Sequence, residues 1–121
     1  MAIGDLNAVR DRTNQWQAVC VLTASPLVPF DLTSARLVFS ASPTPQAQPP
    51  TIQKDSASIG GIVITNPTQG LATITLAPAD TNVLPDNYAN FLYWDLAAIV
   101  GTSVYPLANG NLTVQQNVGQ L

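Results

Sequence analysis

Reaction chemistry needs nucleophiles, proton carriers or metal ligands, and this chain of 121 residues holds few: no histidine, no glutamate, one cysteine and seven aspartates. Without His or Glu, a Ser-His-Asp triad, a Cys-His pair and a His-based zinc site are all ruled out. A paired-carboxylate site has to come from Asp80, Asp86 and Asp95. Asp80 and Asp86 fall in turn-like segments, where aspartate caps backbone amides. Asp95 lies mid-strand between Trp94 and Leu96 and is expected to point outward or to pair with Arg10, Arg12 or Arg36. Turn aspartates can hold calcium when clustered, but the chain has no D-x-D-x-D run. Gly60-Gly61 alone does not make a phosphate loop. Cys20 continues the alternation Trp16, Ala18, Cys20, Leu22 and reads as a small buried hydrophobe. It has no second cysteine for an intrachain disulfide and no His or cationic cluster to activate its thiol. No catalytic, cofactor-binding or metal-binding residue is assigned, no cofactor is expected, and the chain is not expected to be an enzyme.

Two further features concern binding. Trp16, Tyr88, Tyr93, Trp94 and Tyr105 are the candidates for a sugar-stacking platform, although aromatics at strand spacing more often fill a core. Asn111-Leu112-Thr113 matches the glycosylation sequon, which is read as chance because the N-terminus MAIGDLNAVRDR has no apolar segment of a secretory leader.

The elements that must position these residues are strands. From Gly70 to Val114 the chain reads as three of them, with the strictest alternation in the sequence: Ala72, Ile74 and Leu76, then Leu92, Trp94 and Leu96. Asn109-Gly110 is expected to turn a hairpin between Val104–Leu107 and Leu112–Asn117. Earlier come a first strand, Asn14–Thr23, and a second in which Ala35, Leu37, Phe39 and Ala41 face inward. Between these two strands, Asp31 and Thr33 are expected to bond loop amides while Leu32 drops into the end of the core. SPTPQAQPP (residues 42–50) carries four of the ten prolines and reads as a surface loop, since proline cannot serve an interior ladder. Thr51–Ser58 is a polar candidate edge strand, and Pro78 begins one helical turn that carries the chain across the end of the sandwich. Short strands with turns about every ten residues indicate an all-β sandwich or barrel. The domain reading is an N-terminal arm or edge strand (residues 1–13), one sandwich domain (14–118) and a C-terminal tail (119–121).

One strand breaks the pattern. Within Tyr88–Val100, Phe91, Tyr93, Ala97 and Ile99 are apolar on the face opposite Leu92, Trp94 and Leu96. Such a strand is covered either by a loop, for which the proline-rich segment is available, or by another protein.

Composition bounds the partners. Charged residues make up 9% of the chain, against about 25% for an ordinary soluble domain. The surface is built from Thr, Ser, Asn, Gln, Ala and Pro, through coding bias or because other subunits cover it. With net charge −3 and four scattered cations, no basic stripe for DNA or RNA can form. No apolar run approaches the roughly 18 residues of a membrane-spanning helix.

The order of motifs resembles a known family. Asp31-Leu32-Thr33 is followed by G-x-x-x-I-x-L (Gly70 to Leu76) and A-D-T-x-x-L (Ala79 to Leu84). Then come Tyr93-Trp94-Asp95-Leu96 and L-x-x-G-x-L-x-V (Leu107 to Val114). Over residues 13–118 this is similar to the immunoglobulin-like domain of tailed-phage structural proteins, such as the N-terminal domain of phage baseplate upper proteins. Asp86-Asn87 stands where the family usually has glycine, and Asn90-Phe91 looks like added length. The resemblance implies an immunoglobulin-like antiparallel β-sandwich of about 7–9 strands. It also implies a non-enzymatic virion component, assembled in the host cytoplasm, in many copies on a head, neck or tail. Its partners would be other virion proteins (capsid, neck or tail subunits) and its own copies, as a homo-oligomer or repeated subunit. The alternative from another class is a carbohydrate- or receptor-binding β-sandwich module.

Overall fold

A computed structural model describes residues 2–3, 5–9, 12–24, 27–44, 51–57, 60–81 and 89–115. The strands are β1 (Ala2–Ile3), β2 (Leu6–Val9), β3 (Asn14–Val19), β4 (Val21–Ala24), β5 (Leu27–Pro29) and β6 (Arg36–Ser42). They continue with β7 (Ile52–Asp55), β8 (Ile62–Asn66), β9 (Leu71–Leu76), β10 (Ala89–Val100) and β11 (Ser103–Gln115). A 3-10 turn (Pro67–Gln69) joins β8 to β9, and one helical turn, α1 (Pro78–Thr81), follows β9. The expected all-β sandwich is what forms. One sheet runs β11-β10-β6-β7 with β1 and β2 on its β11 edge; the other runs β3-β9-β8; β4 and β5 make a separate ribbon. This strand order matches the GFCC′ and BED sheets of immunoglobulin-type sandwiches.

The N-terminal residues form an edge of the larger sheet, and they pair with β11 in parallel, Leu6 opposite Leu112 and Ala8 opposite Val114. The ladder is therefore antiparallel everywhere except at that edge. The alternation read in the sequence sets the core: Leu37, Phe39, Ala41, Ala72, Ile74, Leu76, Leu92, Trp94, Leu96, Leu112 and Val114 are all buried. Phe39 ties the layers together. Its ring stacks on Trp94 of its own sheet (centroids 5.7 Å apart) and on Trp16 of the opposite sheet (6.5 Å).

Two local expectations are corrected. Asn109-Gly110 does not turn: β11 runs unbroken from Ser103 to Gln115, with Asn109 opposite Asp95 and Gly110 opposite Trp94. A two-residue turn of that type needs positive φ at both positions, and among the described residues the glycines with positive φ are Gly60, Gly61, Gly70 and Gly101. The irregularity in β11 is instead a bulge near Pro106-Leu107, where the register with β10 shifts between Leu96 and Ala97. The bulge reverses the parity beyond it, which brings the still exposed Tyr105 edge-on to Phe30 at 5.6 Å. Second, the strand expected over Asn14–Thr23 breaks at Cys20. β9 begins at Leu71, opposite Val19, so β3 runs out of partner there, and the chain pairs anew with β5. Asp95 lies on the outward side of β10, the first of its two expected placements, and Arg36 pairs with Asp55.

The turn between β10 and β11 is Gly101-Thr102, with Val100 opposite Ser103. Leu32 is buried, and Thr33 donates to Asp31 through its amide and its hydroxyl, as the loop reading requires. Tyr88, Asp86, residues 45–50 of the proline-rich loop and the tail 119–121 lie outside the described residues.

Candidate binding groove

The pleat of β10 sends Leu92, Trp94 and Leu96 into the core and leaves Phe91, Tyr93 and Asp95 outside. Phe91 is 73% exposed and Tyr93 50%. Register fixes what stands beside them. Phe91 is opposite Thr113 on β11, and Thr113 is opposite Asn7 on β2. Two residues along, Tyr93 is opposite Asn111, whose side-chain amide lies 3.5 Å from the Asp5 carboxylate. The rows are about 7 Å apart and neighbouring strands about 4.8 Å apart. An aromatic column on β10 therefore flanks a column of Asn111 and Thr113, with Asp5 and Asn7 beyond. Together these six residues line an open groove of about 630 Å³, and Pro43, at the start of the proline-rich loop, lies on its β6 side. The remainder of that loop, offered from the sequence as a cover for this face, lies outside the described residues.

The sequence candidates for an aromatic platform thus separate. Trp16 and Trp94 belong to the stack through Phe39 and serve the core, while Tyr105, 44% exposed, lies edge-on to Phe30 away from the groove. Of the four candidates among the described residues, Tyr93 lies in the groove, and Phe91, not a candidate, joins it. The signal that finds Phe91 is its parity: it is apolar on the face opposite the core positions. Asn111 was visible only as part of a sequon. The contribution of Asp5 and Asn7 depends on the parallel pairing of β2 with β11, which no local pattern announces.

The carboxylates are dispersed. Asp80 accepts from the Ala77 amide at 2.6 Å, the capping role expected of it, and also pairs with Lys54 at 2.8 Å. That pair ties β7 of the larger sheet to α1, which follows β9 of the other. Asp55 is fully buried and takes Arg36 Nη2 at 2.5 Å and Nε at 3.1 Å. Its other oxygen accepts from the amides of Ala57 and Gly60, closing the turn that carries the chain from one sheet to the other. Asp95 points outward, and partial burial raises its pKa above the ordinary carboxylate value. Hydrogen bonds from Thr33 lower that of Asp31. Cys20 is buried, which pushes its thiol up to about 11. Among the described residues, no three of the His, Cys, Asp and Glu type gather within reach of one metal ion.

The opposite face of the molecule is of another kind. Gln15, Gln17 and Val19 on β3, Leu71, Thr73 and Thr75 on β9, and Val63 and Thr65 on β8 cover the outer side of the three-stranded sheet. None is charged. Val19 and Val63 are 58% and 64% exposed, and Gln15 donates to Thr75 across the strands at 3.1 Å.

No family model and no curated protein matches the chain. Among solved structures, the crystal structure of a sialyltransferase from Photobacterium damsela aligns over 95% of this chain at 11% identity, with a TM-score of 0.38. The chain spans 18% of that protein's length.

Proposed function

We propose that the chain is a non-enzymatic structural component of a bacteriophage particle, present in multiple copies and acting through protein–protein contacts. The positions consistent with this reading are head decoration, the neck or head-to-tail joint, and the tail or fibre anchor. The motif order that resembles tailed-phage immunoglobulin-like domains gives the class. The observation that carries the assembly role is the uncharged outer face of the three-stranded sheet. Exposed sheet faces and edges ordinarily carry Lys or other charges that keep copies apart. Here eight consecutive outward positions across three strands have none, and two of them are exposed valines. A face of that kind is suited to lie against a neighbouring subunit.

Purified particles, washed at high salt and analysed by mass spectrometry and electron microscopy, test the reading. The chain is expected in many copies, with density for a two-sheet domain whose three-stranded face lies against a neighbour. Val63→Lys, which sets a charge on the β8 side of that face, is expected to abolish incorporation while the isolated domain still folds. A persistent monomer by light scattering, absent from the particle and without affinity for its proteins, would sink the proposal.

A further inference from the structure

We infer that the groove on the larger sheet is a binding site for an uncharged saccharide. The argument is one of complementarity between two columns of side chains and the two kinds of surface a sugar ring presents. A pyranose has an apolar face of C–H groups and a rim of hydroxyls. Phe91 and Tyr93, two residues apart on one strand, expose adjacent rings on the same side of the sheet. Such rings offer the flat, weakly negative surface on which C–H groups pack. Beside them, Asn111 and Thr113 supply amide and hydroxyl groups that both donate and accept, and Asp5 and Asn7 extend that row across the next strand. A hydroxyl rim needs this mixture, because each sugar hydroxyl is donor and acceptor at once.

Charge narrows the ligand class. Among the described residues the groove lining holds no Lys or Arg, and the carboxylate there, Asp5, disfavours anions. Phosphorylated and acidic sugars are thereby selected against. The volume of about 630 Å³ is in the range of small-ligand sites, enough for one or two sugar rings. The groove lies on the sheet opposite the uncharged three-stranded face, so this inference stands independently of the assembly role. A module fixed to a particle by one sheet would keep the other free.

The test uses the whole chain, labelled with 15N and titrated with methyl α-glucoside, methyl β-galactoside, methyl α-mannoside, N-acetylglucosamine, lactose and maltose. Glucuronic acid and glucose 6-phosphate serve as charged controls. At least one neutral sugar is expected to give saturable shifts confined to residues 5–7, 91–93 and 111–113, with a dissociation constant on the order of 1 mM. Tyr93→Ala and Asn111→Ala are each expected to weaken it by about tenfold or more, a loss of ~1.4 kcal/mol. Both variants should keep the wild-type spectrum elsewhere, since both side chains are on the outer face. The charged controls should not bind. The inference is overturned if no neutral sugar saturates, if the shifts fall elsewhere, or if both variants bind as well as the wild type. It is equally overturned if the same residues shift with protein concentration alone, which would make a second copy of the chain the occupant.

Discussion

At Asp55 a carboxylate with no exposed surface accepts from Arg36 and from two turn amides, while the Arg36 side chain stays 44% exposed. The cost of burying the charge is offset only while those donors remain, so the site is sensitive to the loss of one side rather than strongly stabilising as a pair. Asp55→Ala removes the acceptor for all of them, leaving the guanidinium over a cavity and the amides of Ala57 and Gly60 unbonded. The expected loss is about 3–5 kcal/mol, read by urea denaturation. Arg36→Leu is expected to cost comparably, because it leaves the buried carboxylate without its counter-charge. If both variants unfold at the wild-type midpoint, the carboxylate is not the element that holds this turn. The sequence did not disclose this pairing. Lys54 and Asp55 lie in a stretch that reads as a polar, solvated edge, and the second of them is instead enclosed by the Arg36 guanidinium and the amides of Ala57 and Gly60. In contrast, Asp31-Leu32-Thr33 was legible, because an aspartate two residues before a threonine in a loop bonds locally whatever the rest of the chain does.

For whole strands, legibility followed how local the pairing is. The inward sets of β6, β9 and β10 are visible because a period of two with large apolar residues leaves one arrangement for a half-buried strand. The Asn109-Gly110 signal failed because a hairpin turn is only one outcome for that dipeptide. The twelve-residue β10 supplies partners along the full length of β11, and a continuous ladder satisfies more backbone groups than a second reversal would. The same logic separates two glycines of similar φ. Gly70 (φ 70°) closes the 3-10 turn at a crowded junction: its carbonyl accepts from the Cys20 amide at 2.8 Å, and a Cβ there would press on the carbonyls of Cys20 and Phe30. Gly101 (φ 62°) sits at the open tip of the β10–β11 hairpin with nothing within 4 Å of an added Cβ. Gly101→Ala is expected to cost only the conformational strain, about 1 kcal/mol. Gly70→Ala adds backbone collisions that no rotamer change relieves, and is expected to cost well over twice as much. Thermal unfolding of the two variants checks this; equal shifts in Tm would mean that the junction yields easily.

Across the whole molecule, the decisive property is that β10 is apolar on both faces while only one of them is a core. Phe39 and Phe91 make the comparison sharp, since both are phenylalanines on strands of the same sheet. Phe39 is fully buried between Trp16 and Trp94, where its removal opens a cavity between the two layers; Phe91 is 73% exposed on the outer side. Phe39→Ala is expected to cost about 3–5 kcal/mol. Phe91→Ala is expected to change stability by no more than about 0.5 kcal/mol, the usual range for exposed positions away from special features. Guanidinium denaturation of both variants in the isolated chain measures the difference. A large loss for Phe91→Ala would mean that this ring already packs against the chain itself. Its face of the sheet would then be structural, and neither a sugar nor a neighbouring subunit would be needed to explain why two aromatic rings stand there. A small loss means that folding does not account for Phe91, so the reason for an exposed ring beside Tyr93 and a polar row of Asn7, Asn111 and Thr113 has to be sought in what the groove binds.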